Sequence, residues 1–345
     1  MLFVCHKDKN CEDMFVRWRT CLVFAFSIFS AAKLLEARRH GYPWNKDNEL
    51  NFLVLGDWGG SPSPPYRTPI EVSVADMMAE VSSERNSQFV VALGDNFYFD
   101  GVEDDSSIRF EETFEKAYAA KSLQIPWYVI AGNHDHHRNV SGQIDYTRLS
   151  KRWNFPNFYH SHIFNIPGSK KTLQIILIDT VLLCGNSGHD FDPRIPTGPD
   201  EPNIASEQLD WIEKTLASSK SDYILVGGHY PVWSIGHHGP TSQLVEQLKP
   251  MLEKYKVNAY ICGHDHNLQS IKESDSEVLY HVIGNANFLD PRTTHESSVP
   301  DGSSKFFYAD NGGFAAVTVN DFKMVFQFVN SQGRVVYEST STPRL

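Results

Sequence analysis

Five short apolar runs in this chain each end at residues that can hold a metal ion. Asn51–Leu55 leads into Gly56-Asp57-Trp58-Gly59, Phe89–Leu93 into Gly94-Asp95-Asn96-Phe97-Tyr98, and Trp127–Ala131 into Gly132-Asn133-His134-Asp135. Tyr223–Gly227 ends at Gly228-His229-Tyr230-Pro231, and Ala259–Cys262 ends at Gly263-His264-Asp265-His266. Carboxylate, phenolate, amide carbonyl and imidazole are all oxygen or nitrogen donors. The mix suits iron, zinc or manganese, and the absence of a thiolate argues against a soft metal. One carboxylate can bridge two ions about 3.5–4 Å apart, and such a pair clamps oxyanions and lowers the pKa of a bound water.

Something must bring these five points together. Each run is short, rich in β-branched or aromatic residues and closed by glycine, which is the pattern of a buried strand entering a loop. Donors at the carboxyl ends of strands stand where open α/β sheets keep their sites. Between the runs, Val74, Met77, Met78 and Val81 share a helical face, a helical stretch covers Ile108 to Ala119, and Leu209, Ile212 and Leu216 line a helix over Ser206–Ser218. Another helix is expected over Leu244–Tyr255, and Leu173–Ile178 reads as a further strand that reaches Asp179. The tail alternates apolar and polar residues in Phe314–Val319 and Met324–Val329, as antiparallel strands do. Alternating strands and helices make the class α/β. Ser61–Pro69 and Gly185–Pro202 read as loops, the second long and exposed.

The 345 residues suffice for a single large domain, assigned to 49–345, after a polar linker over 33–48. Residues 1–32 read as a signal peptide: Arg17 and Arg19 precede the apolar Cys21–Ala32, with Ser30 and Ala32 as small residues before a cut. Met14 would give a more compact start. That apolar stretch is too short for a relaxed membrane span, so a secreted or lysosomal protein with no stable membrane span is expected, a short membrane anchor or a buried helix being the alternative to a signal peptide. The net charge of −11 argues against a general nucleic-acid binder. Of five cysteines only Cys184 and Cys262 lie beyond the leader, and two make no disulfide framework.

In their order and spacing, the five motifs resemble those of the purple acid phosphatases. His229–Ile235, Lys151–Pro156 and Cys262–Leu268 are similar to the small, tartrate-resistant animal type, and the resemblance runs from about residue 50 to the C-terminus. It implies a metallophosphoesterase sandwich of two mixed β-sheets flanked by helices, and an acid phosphatase that cleaves phosphate monoesters with a metal-held hydroxide. It implies iron(III) on Asp57, Asp95, Tyr98 and His266, with Asp95 bridging to a second ion, iron(II), zinc or manganese, on Asn133, His229 and His264. It places His134 and His238, the latter read from Ile235-Gly-His-His238-Gly239, beside the substrate phosphate as catalytic residues. Tyr98 separates this reading from protein Ser/Thr phosphatases, since phenolate is a hard donor suited to iron(III). A trivalent ion also acidifies its water more strongly, so activity in acid is expected.

The same resemblance implies a disulfide from Cys184 to the stretch Gly239–Gln243, but Gln243 stands where the partner cysteine is expected. Asp135 either orients a neighbour or caps its turn. His136 and His237 flank the site without an assigned role, and His137 reads as a surface residue. Gly185–Pro202 is a lid candidate, with Asp190 and Asp192 as competitors of an anionic substrate. Asn139-Val140-Ser141 is an acceptor for an N-glycan. Substrates are expected to be phosphorylated small molecules or phosphoproteins, acted on by a monomer. A divalent-metal phosphodiesterase or nucleotide phosphatase is the rival within the class, and a secreted iron-binding glycoprotein is the rival outside it.

Overall fold

A computed structural model describes residues 48–187 and 196–344 of the chain. The expected leader and, but for Asn48, the linker lie outside the described residues. Among the described residues, fourteen strands form two seven-stranded sheets. In chain order they are β1 (Leu50–Leu55), β2 (Phe89–Leu93), β3 (Trp127–Ile130), β4 (Trp153–Asn154), β5 (His160–Asn165), β6 (Thr172–Leu177) and β7 (Tyr223–Gly227). They continue with β8 (Ala259–Cys262), β9 (Leu268–Ile271), β10 (Leu279–Ile283), β11 (Ser304–Tyr308), β12 (Gly313–Val319), β13 (Met324–Asn330) and β14 (Val335–Ser341). The helices are α1 (Pro69–Arg85), α2 (Asn133–His136), α3 (Val140–Tyr146), α4 (Thr180–Cys184), α5 (Pro202–Ser218) and α6 (Lys249–Lys254).

One sheet runs β14-β13-β12-β1-β2-β3-β4 and the other β11-β9-β10-β8-β7-β6-β5. β1 to β4 pair in parallel, as do β6, β7, β8 and β10. The flanking strands pair antiparallel, so both sheets are mixed. The parallel run extends from the middle of the first sheet to its β4 edge and fills the middle of the second, with the carboxyl ends of β1, β2 and β3 in one and of β7 and β8 in the other carrying the five motifs.

Packing follows the period of two along each strand. Leu50, Phe52 and Val54 join Leu177, Leu225 and Ile261 in the core between the sheets. Leu53 and Leu55 point the other way, into a cluster with Val74 and Met78 of α1. Ile224 and Val226 likewise pack with Ile212 and Leu216 of α5. Strands buried on both faces read as unbroken apolar runs, which is why β1, β2, β7 and β8 stand out in the sequence. The α1 helix begins with a full capping box, Thr68 accepting from the Glu71 amide while Glu71 reaches back to Thr68.

Three expectations shift. The Ser206–Ser218 helix begins earlier, at Pro202, which suits proline as a first helical residue. Leu244–Tyr255 is not one regular helix: a π-type segment covers Leu244–Leu248 and α6 follows, the change falling beside Pro250, which has no N–H to give. The helical stretch expected over Ile108–Ala119 begins at Ile108, is π-type over Phe110–Glu115, and stops there, four residues short of Ala119. Among the described residues no helix is long and apolar enough to cross a membrane.

His281 of β10 is a buried group with no catalytic claim. It is fully enclosed, its ring 4.8 Å from that of Phe326 and 5.2 Å from that of Phe328, with Ser339 Oγ 3.0 Å from Nε2. Burial pushes its pKa down to about 3. The unfolded chain takes up a proton there that the folded chain refuses, so stability is complete above about pH 6.5 and is lost as the pH falls below it. The expected slope is about 1.4 kcal/mol per pH unit. Urea unfolding of wild type and His281→Leu between about pH 7 and 4 should give a shallower fall for the variant. Parallel slopes would remove His281 from the account.

Candidate metal centre

The seven strand-end residues converge at the edge of the sandwich where the two sheets meet. Around Asp57, Tyr98 Oη lies 3.1 Å from Oδ1 and 3.0 Å from His266 Nε2, and that nitrogen is 3.5 Å from Asp57 Oδ1. Around Asp95, His229 Nε2 lies 3.4 Å from Oδ1 and 3.0 Å from Asn133 Oδ1. The His264 ring is 5.1 Å from that of His229. Donor atoms of Asp57, Asp95 and His229 all fall within 4.8 Å of one another, linking the two groups.

Local backbone explains how this crowding is reached. Asp57, Asp95 and His264 have φ of 56°, 50° and 72°, a left-handed conformation that costs energy for residues with a side chain. It turns the chain sharply two residues beyond the end of each strand, so the side chain points back to the centre. The preceding glycines interlock. A Cβ on Gly132 would lie 2.2 Å from Asp95 Oδ1, and one on Gly263 would lie 2.2 Å from Asp57 Oδ2. Each of these glycines thus makes room for a carboxylate that belongs to another motif. Backbone amides hold the carboxylates in place: His264 N–H donates to Asp57 Oδ2 at 2.8 Å and His134 N–H to Asp95 Oδ1 at 3.0 Å.

The residues present suit metal ions. Asp57 and Asp95 are almost wholly buried, and their partners are amides, a phenol and imidazoles, with no lysine or arginine among them. Burial of a carboxylate without a cation is costly. Donor separations near 3 Å match the edge of a coordination shell with bonds of about 2.1 Å. The electrostatics show the same demand. Burial pushes the Asp57 carboxyl up, with His266 and His229 pulling against it. Burial also opposes the Asp95 charge, but His229 and His134 outweigh it and hold that carboxyl well below the usual range. For His229 burial disfavours the imidazolium, yet Asp95 and Asp57 prevail and raise it to about 9. His264 is driven well below its usual value by burial and by the neighbouring imidazoles, first His238.

A second layer fastens the motifs to one another. Asp135 accepts the amides of Gly132 at 2.8 Å and Asn96 at 3.1 Å, and the Gln143 side chain at 2.8 Å, so it both closes its own turn and holds the Asp95 loop. Burial and then Asp95 push its pKa up to about 6. Asp265 accepts the His238 amide at 2.9 Å and the Ser234 hydroxyl, and the His238 ring stacks on His264 at 4.0 Å. His134 is fully buried, with Nδ1 2.7 Å from Phe99 O. His137 is not a free surface residue: its side chain is 14% exposed, its Nδ1 is 3.2 Å from the same carbonyl, and its ring lies 5.2 Å from that of His134. His136 Nε2 meets Asp179 Oδ2 at 2.7 Å, a pairing between separate loops that no local pattern announces.

The root of the Gly185–Pro202 loop is tied to the same site. Asn186 Nδ2 donates to Asn133 O at 3.2 Å, and Tyr230 Oη, next to His229, accepts the Ser187 amide at 3.0 Å. Asp190 and Asp192 lie outside the described residues. Cys184 and Cys262 are both buried and free, and Gln243 Nε2 donates to Pro196 O at 3.1 Å. Asn139 is exposed and caps α3, with Nδ2 donating to Glu103 O at 2.7 Å. An amide that carried a sugar would still have one hydrogen for that bond.

Comparison with known proteins agrees with this geometry. The calcineurin-like phosphoesterase family model matches residues 50–268. Tartrate-resistant acid phosphatase type 5 of Mus musculus is 46% identical over 299 residues, covering 86% of this chain and 90% of that one. The Homo sapiens protein of the same name is 46% identical over 300 residues, covering 86% and 91%. Purple acid phosphatase 17 of Arabidopsis thaliana is 30% identical, covering 88% of each. Among solved structures, GAP50, the anchor in the inner membrane complex of Plasmodium, shares the fold with a TM-score of 0.72 at 23% identity, covering 86% of this chain and 90% of that one.

His229 gives the site a measurable signature. Without metal its imidazole keeps a proton up to about pH 9, so a cation can take Nε2 only as that proton leaves. Apparent affinity for zinc should therefore climb with pH toward that value. Calorimetric titration near pH 6.5, in buffers of different ionisation enthalpy, should count about one proton released at this residue. His229→Ala should lack that release. An affinity that does not change with pH would contradict the assignment.

Proposed function

The chain belongs to the purple acid phosphatases, and we propose that its strand-end cluster hydrolyses phosphate monoesters in acid using two metal ions. In this reading Asp57, Asp95, Tyr98 and His266 hold iron(III), and Asp95 is shared with a second ion, iron(II), zinc or manganese, on Asn133, His229 and His264. The observation that carries it is the phenol of Tyr98, set 3.1 Å from Asp57 and 3.0 Å from His266. A phenolate is an anionic oxygen donor of the kind hard cations select. When bound, the ions supply Lewis-acid stabilisation of phosphoryl oxygens and activation of water.

The side chains around the ions supply protons and orientation. A carbonyl can only accept, so the contact with Phe99 O puts a hydrogen on His134 Nδ1 and leaves Nε2 as the atom with the mobile proton. His238 is held differently, its backbone on Asp265 and its ring over His264. The two imidazoles therefore lie against different ligands, His134 near Asp95 and His238 on His264. A leaving alkoxide needs a proton as it departs, and in acid either imidazolium can give it. Substrates in this reading are phosphorylated small molecules or phosphoproteins. The leader over 1–32 supports export to the cell exterior or the lysosome.

Two experiments test the reading. Iron-loaded protein should show a visible phenolate-to-iron(III) charge-transfer band, and Tyr98→Phe should abolish it without changing the far-ultraviolet circular dichroism. A band that survives removes Tyr98 from the site, and a coloured protein without phosphatase turnover would favour the iron-binding alternative.

His238→Ala should lower turnover most on alkyl phosphates, which leave poorly, with a loss of about 10²-fold or more. Aryl phosphates need less protonation and should lose less. Equal losses on both would limit His238 to holding phosphate and move the acid role to His134.

A further inference from the structure

Tyr98 differs from the other proposed iron ligands in where it sits. Asp57 lies two residues beyond β1 and His266 two residues before β9, but Tyr98 hangs five residues beyond β2 on a loop. Its phenol can reach Asp57 and His266 only if that loop is held from outside. Two hydrogen bonds hold the backbone of Tyr98. Its amide donates to Gly59 O at 3.0 Å, and its carbonyl accepts Arg109 Nη1 at 2.7 Å. The second nitrogen of the same guanidinium, Nη2, donates to Gly59 O. A single planar fork thus spans the loop after β1, which carries Asp57, and the loop after β2, which carries Asp95 and Tyr98. Arg109 is 7% exposed, so these bonds are sheltered from water.

The fork is itself oriented. Arg109 Nε donates to Thr113 Oγ1 at 3.1 Å, and Thr113 Oγ1 in turn donates to Tyr66 O at 2.9 Å. The guanidinium carbon lies 5.5 Å from the centre of the Phe97 ring. Arg109 belongs to none of the five motifs and touches none of the donor atoms. Resting on the assignment of Tyr98 to iron, we propose that Arg109 is a positioning residue for the metal centre: it fixes the register between the Asp57 and Tyr98 loops and so sets the geometry of the phenolate on iron(III).

Lysine keeps the charge but offers no planar fork, so Arg109→Lys can satisfy one carbonyl and not both in the same geometry. In metal-loaded protein the variant should shift the maximum of the visible band and lower kcat by about 10-fold or more, as the loss of an outer-shell partner typically does. KM should stay within about threefold, because the phosphate contacts are untouched. Thr113→Val, which removes only the Nε partner and keeps the side-chain shape, should shift the band in the same direction by less. Metal content and circular dichroism are measured on every sample, and the Thr113→Val arm decides the matter should Arg109→Lys fail to fold. A band at the wild-type wavelength in both variants, or in Thr113→Val alone if Arg109→Lys does not fold, would overturn the proposal, whatever happens to melting temperature. A wild-type protein without the band, or a Tyr98→Phe protein that keeps it, would instead defeat the iron assignment itself.

Discussion

The structure turns on two carboxylates that have been taken out of water without, among the described residues, a lysine or arginine to meet them. Asp57 and Asp95 lie where the sheets join, surrounded by imidazoles, a phenol and backbone amides. Such a site is tolerable only if something cationic completes it. In the metal-free chain the proton on His229 does part of this, held by Asp95 and Asp57 against the cost of burial. The imidazole of His264 stays neutral in the same surroundings, which is the form a ligand needs. The protein therefore divides protons among its histidines in a pattern suited to exchange with metal.

Holding donors so close together requires rigid supports. The parallel strands β1, β2, β3, β7 and β8 provide them, packed into the cores on both of their faces. The left-handed turns at Asp57, Asp95 and His264 are the local cost, and the packed core beneath offsets it. The interlocked glycines make the motifs one object: the space for each of two carboxylates is made by a residue on another strand.

Much of this was readable in advance for a physical reason. A two-face buried strand has to be apolar throughout, and a glycine followed by a polar donor marks where it ends. β1, β2, β3, β7 and β8 all carry that signature, and the tail strands β12 and β13 showed through their alternation instead. Edge strands do not. β5, His-Ser-His-Ile-Phe-Asn, alternates weakly because it lies at the sheet margin, and the two-residue β4 has no pattern to find. The second layer was equally hidden. His136 with Asp179, Asp265 with the His238 amide, and Arg109 with two carbonyls are contacts between distant loops, set by the fold and not by local spacing. His137 shows the limit most plainly: a polar residue after a helical turn looks solvated until the carbonyl of Phe99 is seen beneath it.

The free thiols have a consequence for where this protein can mature. The resemblance anticipates a covalent tie from Cys184 at the root of the long loop, and Gln243 replaces it with a hydrogen bond to Pro196. An amide-to-carbonyl contact is indifferent to thiols. Among the described residues nothing about the loop root depends on an oxidising environment, and glutathione has no bond there to cut. Among the described residues, the tie at the loop root is therefore the same in a reducing cytosol and in a secretory lumen. A change in redox poise, which could loosen a disulfide-tied loop, does not act on the contact between Gln243 and Pro196.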